Sequence, residues 1–164
     1  MRLRAALPVL AAAFALAPAA AAPPSDGVLF PGESLAGIEL GMTKADVLRL
    51  WGKRHGVCRE CLRETWYFNY RPFHPEGAGV VFRRSRVVRV FTVWRPRGWR
   101  TVGGLSLGAP QAEISDAAVV VDERHCVGYE ALVAPGRSAQ TVFYAYRGKL
   151  WGFALVRAGA NPCL

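Results

Sequence analysis

Apolar residues concentrate in six short runs of the chain, bounded by polar and turn-forming residues. The first three are ETWYFNY (64–70), GAGVVF (77–82) and RVVRVFTVW (86–94). The second three are GYEALVA (128–134), TVFYAY (141–146) and KLWGFALV (149–156). Aromatic and β-branched residues dominate them, which predicts strands. RRSR and YRGK fall between consecutive runs and predict tight hairpin turns. Two segments carry helix-start chemistry instead. Over 43–51, Thr43 caps the first turn and Asp46 reciprocates three residues later, a capping box. Over 110–118, Pro110 occupies a first helical position and Glu113 suits the positive helix end. Gly52 and the run Val119–Val121 end the two helices.

Strict alternation assigns the side chains to faces. Val88, Val90 and Trp94 fall on one side, with Val87, Phe91 and Val93 on the other. Trp151, Phe153 and Leu155 oppose Leu150, Ala154 and Val156, and Trp66, Phe68 and Tyr70 oppose Tyr67. Both faces are apolar, whereas two short helices cover about one face of such a sheet. The other must meet residues 28–36 and the loops 71–76 and 95–103, the other half of the chain, or a partner. A large exposed apolar patch marks an interaction site. The expected contacts are Trp66, Phe68, Tyr70, Trp94 and Trp151, with Arg95, Arg97 and Arg100 at the rim.

The helix starts are preceded by related phrases, GIELGMTKADV (37–47) and GLSLGAPQAEI (104–114). Gly37, Ile38, Leu40, Gly41 and Val47 match Gly104, Leu105, Leu107, Gly108 and Ile114. Such self-similarity predicts a repeat architecture. The expected fold is α+β: two tandem units, each a short helix followed by a three- to four-stranded antiparallel meander. Residues 1–21 read as a removed signal peptide, 22–34 as an N-terminal segment, 35–94 as repeat 1, 95–103 as a basic linker and 104–164 as repeat 2.

The glycine phrase, the helix and the three strands together resemble the BamE (SmpA/OmlA) module. Two copies in one exported chain resemble the tandem modules of β-lactamase inhibitory protein. The resemblance covers most of residues 35–157. It implies helices packed on one face of small antiparallel sheets that join into one curved surface. It also implies a non-catalytic, protein-binding role. The chain departs from the pattern in lacking a lipid-attachment cysteine, in carrying C-x-x-C, and in its basic linker.

The first residues bear on compartment. A basic start, MRLR, precedes an Ala-rich apolar run and the small residues Ala19–Ala22. This is signal-peptide grammar with cleavage expected after Ala21. The start reads R-x-R rather than twin-Arg, and no cysteine lies near the cut. General export is expected, not a lipoprotein. No second apolar run is long enough to span a bilayer. The product is therefore expected in the extracellular, periplasmic or cell-envelope space.

Four cysteines, Cys58, Cys61, Cys126 and Cys163, then read as disulfides. Of the three pairings, Cys58–Cys61 with Cys126–Cys163 keeps each bond inside one repeat. Two other chemistries compete. C-R-E-C could serve a thiol–disulfide oxidoreductase through Cys58 and Cys61, although it precedes a strand rather than opening a helix, and Glu60 opposes a thiolate. His55, Cys58, Cys61 and Cys126 have acceptable spacing for zinc, but export argues against free thiols. Leu62 follows the second cysteine, which excludes a c-type haem site.

The net charge of +9 is concentrated. Residues 83–100 hold seven arginines and no acid. Interleaved with Trp94 and Trp99, they could bind anionic envelope polymers weakly, or form a solvated face with guanidinium stacked on indole. Export makes nucleic acid an unexpected partner. G-x-S-x-G is missing, and GGLSLG lacks the Lys-Ser/Thr of a phosphate loop. His74 lies in a proline-rich turn, and Glu33, Glu39, Glu113 and Glu130 show no pairing in the sequence. No catalytic residue, metal or cofactor is expected. The reading is an exported, disulfide-stabilised binding protein whose partner is another envelope or extracellular protein.

Overall fold

The computed structural model describes residues 27–68, 76–117, 120 and 122–164. The expected signal peptide, Tyr70 and His74 lie outside the described residues.

The apolar runs build one eight-stranded antiparallel sheet. Its spatial order is β4 (Gly56–Val57), β5 (Thr65–Phe68), β6 (Gly77–Arg83), β7 (Arg86–Val93), β12 (Lys149–Arg157), β11 (Ala139–Tyr146), β10 (Tyr129–Ala134) and β9 (Asp122–Cys126). The two halves of the chain join where β7 pairs with β12, Phe91 opposite Ala154. Arg84 and Ser85 both have positive φ, 50° and 59°, as a two-residue hairpin turn that follows sheet twist requires.

A second sheet is small and mixed, ordered β3 (Ile38–Glu39), β2 (Ser34–Leu35), β1 (Val28–Phe30) and β8 (Arg100–Thr101). β1 and β8 run parallel, Leu29 opposite Thr101. Segments 22–34 and 95–103 therefore contribute strands and not only a lead-in and a linker. Trp99 shows why. It is fully buried, and a Cβ on Gly27 would lie 2.5 Å from its Cε2. The indole thus locks the first strand to the linker, and it is not available to stack on surface arginines.

Helix α1 (Lys44–Trp51) starts with the capping box the sequence predicts. The Asp46 amide donates to Thr43 Oγ1 at 3.2 Å, and the Thr43 amide donates to Asp46 Oδ2 at 3.0 Å. Its buried face is Val47 and Trp51. Trp51 meets Phe68 edge-on at 5.1 Å and Trp99 at 5.5 Å, while its Nε1 donates to the Ala36 carbonyl at 2.9 Å. Helix α2 (Ala112–Ala117) buries Ile114. Both helices pack on the same side of the large sheet. The core there includes Val47, Trp51 and Ile114 from the helices, and Phe68, Val80, Phe143 and Phe153 from strands of both halves.

Two β-bulges depart from strict alternation, and each extra residue re-aims its neighbours. Phe82 faces Val87 while Val81 faces Arg89, leaving Val88 extra. Val87 therefore joins Val90 on the helix side rather than Phe91 and Val93. Likewise Ala145 faces Leu150 while Tyr144 faces Gly152, leaving Trp151 extra. Leu150 enters the helix-side core with Phe153 and Leu155. Trp151 packs on the opposite face with Ala154 and Val156.

Candidate binding face

The face away from the helices carries a second apolar cluster: Phe91, Val93, Ala131, Val133, Val142, Tyr144, Ala154 and Val156. Tyr67, Val81, Tyr129 and Trp151 pack partly buried against it. Residues 158–164 strap across part of it. Tyr144 Oη donates to the Pro162 carbonyl at 2.9 Å, and the Leu164 amide donates to Tyr129 Oη at 2.6 Å. Gln140 Nε2 donates to the Ala160 carbonyl at 2.7 Å. Arg89 donates to the Cys163 carbonyl at 2.7 Å and also to the Asn161 carbonyl. Burial pushes the Tyr144 phenol well above its usual range, against the pull of Arg89. Burial raises the Tyr129 phenol as well, opposed by the Leu164 amide and by Arg89.

The strap is held covalently. Cys126 is bonded to Cys163, and Cys58 to Cys61, the pairing that keeps each bond within one half. No cysteine is free, so the thiolates a His55–Cys58–Cys61–Cys126 zinc site requires are not there. Cys58–Cys61 lies in the β4–β5 connection, without the helix N-terminus that lowers the thiol pKa in redox pairs.

Trp151 is the hub of an aromatic group beside the strap. Its ring centroid lies 5.0 Å from Tyr129, 6.1 Å from Trp94 and 6.2 Å from both Tyr144 and Tyr146. Its Nε1 is buried without an acceptor. Trp94 is 41% exposed and has φ of 60°, a left-handed conformation that costs a bulky residue energy. Its amide donates to the Trp151 carbonyl at 2.8 Å. The structure thus brings Trp94 and Trp151 together.

It does not bring Trp66 and Phe68 to them. Both face the helices and are buried, Phe68 completely. Trp66 stacks on His55 at 4.0 Å and donates to Glu64 at 2.9 Å. They are core residues because α1 covers their side of the sheet. His55 Nδ1 is buried with no partner.

The arginine stretch is not one patch either. Arg83, Arg84 and Arg86 sit at one end of the eight-residue β7 and Arg95 and Arg97 beyond the other, roughly 23 Å apart at 3.3 Å per residue. Arg86 donates to the Gly41 carbonyl at 3.1 Å, and Arg95 pairs with Glu76 at 2.9 Å. Arg97 and Arg100 are exposed.

A groove of about 650 Å³ runs along β6 and β7 on the strap side, within the size range of small-molecule sites. Phe91 and Val156 form its floor, and the strap forms one wall. Phe91 lies over Gly79, where a Cβ would approach its Cζ to 2.3 Å.

The sequence reading overlooked one constellation. Glu123, His125 and Glu130 bring potential metal-ligating atoms within 4.8 Å of one another. His125 and Glu130 are directly opposite across the β9–β10 pair, and Gln111 donates to Glu130 at 2.7 Å. The signal was a Glu-x-His alternation followed by a Val127–Gly128 turn, which carries Glu130 back over His125.

No family model matches the chain, and no curated protein sequence matches it. A solved structure does match: an extracellular protein containing a SCP domain from Bacillus anthracis str. Ames, 10% identical, with a TM-score of 0.53. The match covers 72% of this chain and 44% of that one. The two share a fold. This chain thus corresponds to less than half of that protein, and at such identity the likeness speaks of architecture alone. Among the described residues no helix is long and apolar enough to cross a membrane.

Proposed function

We propose that this chain is an exported, disulfide-stabilised, non-catalytic binding protein that engages another envelope or extracellular protein. The observation that carries the reading is the exposed Trp94, held in a costly left-handed conformation beside half-buried Trp151 on the face no helix covers. Large aromatics that pair an exposed ring with a desolvated neighbour are what binding hot spots use. Tyr146, 6.1 Å from Trp94, and Arg147, whose guanidinium lies 5.2 Å from the Tyr146 ring, extend the platform, and Arg95 follows Trp94 directly in the chain. Export is supported by the signal-peptide grammar of residues 1–21, by the two disulfides, and by the extracellular description of the structural match.

The reading includes a tandem architecture resembling that of β-lactamase inhibitory protein. Its support is the strand order, in which β4 to β7 and β9 to β12 run inward from the two edges and meet at the β7–β12 seam. Each set follows one helix. The test is capture of envelope and secreted proteins on immobilised wild type and on Trp94→Ala. Specific partners are retained by wild type and lost from the variant, with both proteins equally folded. Capture that is identical on the two proteins refutes the reading.

A further inference from the structure

The groove along β6 and β7 has a chemical polarity. Gly77, Val93 and Trp151 line one end, where Gly77 pairs with Val93 and Val93 with Gly152. Arg83, Val88 and Arg157 line the other, where Arg83 pairs with Arg86 and Val156 with Arg89. Arg63 joins this second end, because its neighbour Glu64 accepts from the Phe82 amide at 2.8 Å. From Gly77 to Arg83 the groove is about 20 Å long at 3.3 Å per residue.

Among the described residues, no Asp or Glu side chain lines the basic end. Arg63, Arg83 and Arg157 are exposed and take part in no ion pair among the described residues. Arg89 is occupied by strap carbonyls. Glu76, the one acidic side chain among the described lining residues, is at the opposite end and is paired with Arg95 at 2.9 Å. Between the ends the sheet presents Val81, Phe91 and Val156, with Tyr67 beside them. Leu62 and Leu164 also line the groove, 106% and 45% exposed.

We propose that this groove binds one molecule of a free, single-chain anionic amphiphile, the fatty carboxylates being the chemical class. The carboxylate sits among Arg63, Arg83 and Arg157, and the alkyl chain lies along Phe91 and Val156 toward Trp151. The choice over an extended peptide rests on backbone accounting. β6 and β7 are interior strands whose amides and carbonyls are committed to the sheet. A peptide laid on the valine–phenylalanine floor would leave its own backbone groups without partners, which costs free energy at each one. An alkyl chain has no such groups and gains from burial. Arginine presents a planar fork matched to a carboxylate.

This inference goes beyond protein binding at Trp94 and fails or stands separately. The test is calorimetric titration of the intact, oxidised protein with laurate and palmitate below their micelle concentrations. Dodecyltrimethylammonium and anionic phosphatidylglycerol vesicles serve as comparisons. One-to-one binding of a carboxylate is expected, at least tenfold tighter than the cationic amphiphile. The charge reversal Arg83→Glu with Arg157→Glu, at exposed positions, should leave the melting temperature in place and remove that preference. Trp94→Ala should retain laurate binding even where it loses the protein partner. No carboxylate binding, equal binding of both head groups, an unchanged preference in the reversal variant, or binding to vesicles alone would each overturn the proposal.

Discussion

Trp66 and Trp151 lie on opposite faces of the same eight-stranded sheet. Trp66 is in the core beneath α1, and Trp151 packs against the strap-side cluster with Trp94 at its edge. The consequence for mutation is a division of labour. Trp66→Ala should destabilise the fold by roughly 3–5 kcal/mol, as large core truncations do. Trp94→Ala, at a partly exposed ring, should cost much less stability than Trp66→Ala while weakening partner capture. Urea unfolding of the two variants beside wild type reads the first effect, and the capture assay reads the second.

Gly79 is needed because of Phe91. A methyl group there would meet the phenyl ring at 2.3 Å, in a floor already filled. Gly79→Ala should cost about 1–3 kcal/mol as an overpacking change. Combining it with Phe91→Leu should recover part of that loss, since contacting residues are not additive. A double-mutant cycle measured by chemical denaturation tests the coupling. Strictly additive losses would show that the ring simply moves aside.

The two disulfides should differ in what they hold. Cys126–Cys163 closes a loop spanning a sequence separation of 37 residues, and Cys58–Cys61 one of 3. Loop entropy then assigns about 4 kcal/mol to the first and about 2 kcal/mol to the second. Cys126→Ser with Cys163→Ser should also free the strap. Hydrogen exchange at the Leu164 amide, now held by Tyr129, should accelerate in that variant and stay slow in Cys58→Ser with Cys61→Ser.

Acid should loosen α1 through its cap. Hydrogen bonds from Thr43, side chain first and then backbone, hold the Asp46 carboxyl below its usual range. Lys44 does the same for Glu64. A depressed folded pKa means that these contributions are present above the ordinary carboxylate pKa of about 4. They are lost as pH falls through the lower folded value. Asp46→Asn should therefore flatten the acid limb of a stability-versus-pH curve. Thr43→Ala should cost about 1 kcal/mol at neutral pH as an N-cap loss. An unaltered acid limb in Asp46→Asn would place the titrating group elsewhere.

What the sequence determined by itself was local. The capping box at Thr43 and Asp46 involves residues three apart, so its chemistry is written in four letters. The RRSR turn and the apolar runs are likewise short-range, and they yielded the strands from β5 onward, apart from β8 and β9. An even cysteine count, with each bond kept inside one half, was also readable without coordinates. The faces were not. Alternation carried through a strand assumes one residue per step, and the bulges at Val88 and Trp151 break it. Each is defined only by the register against a neighbouring strand, and each moves side chains across the sheet. Trp66 became core because α1 covers its face, and no property of TWYF records which face a distant helix will choose. The same holds for β1 against β8, for Trp99 over Gly27, and for the strap over Tyr144. Those contacts join residues far apart in the chain, whose meeting depends on the whole sheet forming first. The groove's polarity arises in the same way, from Arg63, Arg83 and Arg157 arriving at one end by strand pairing.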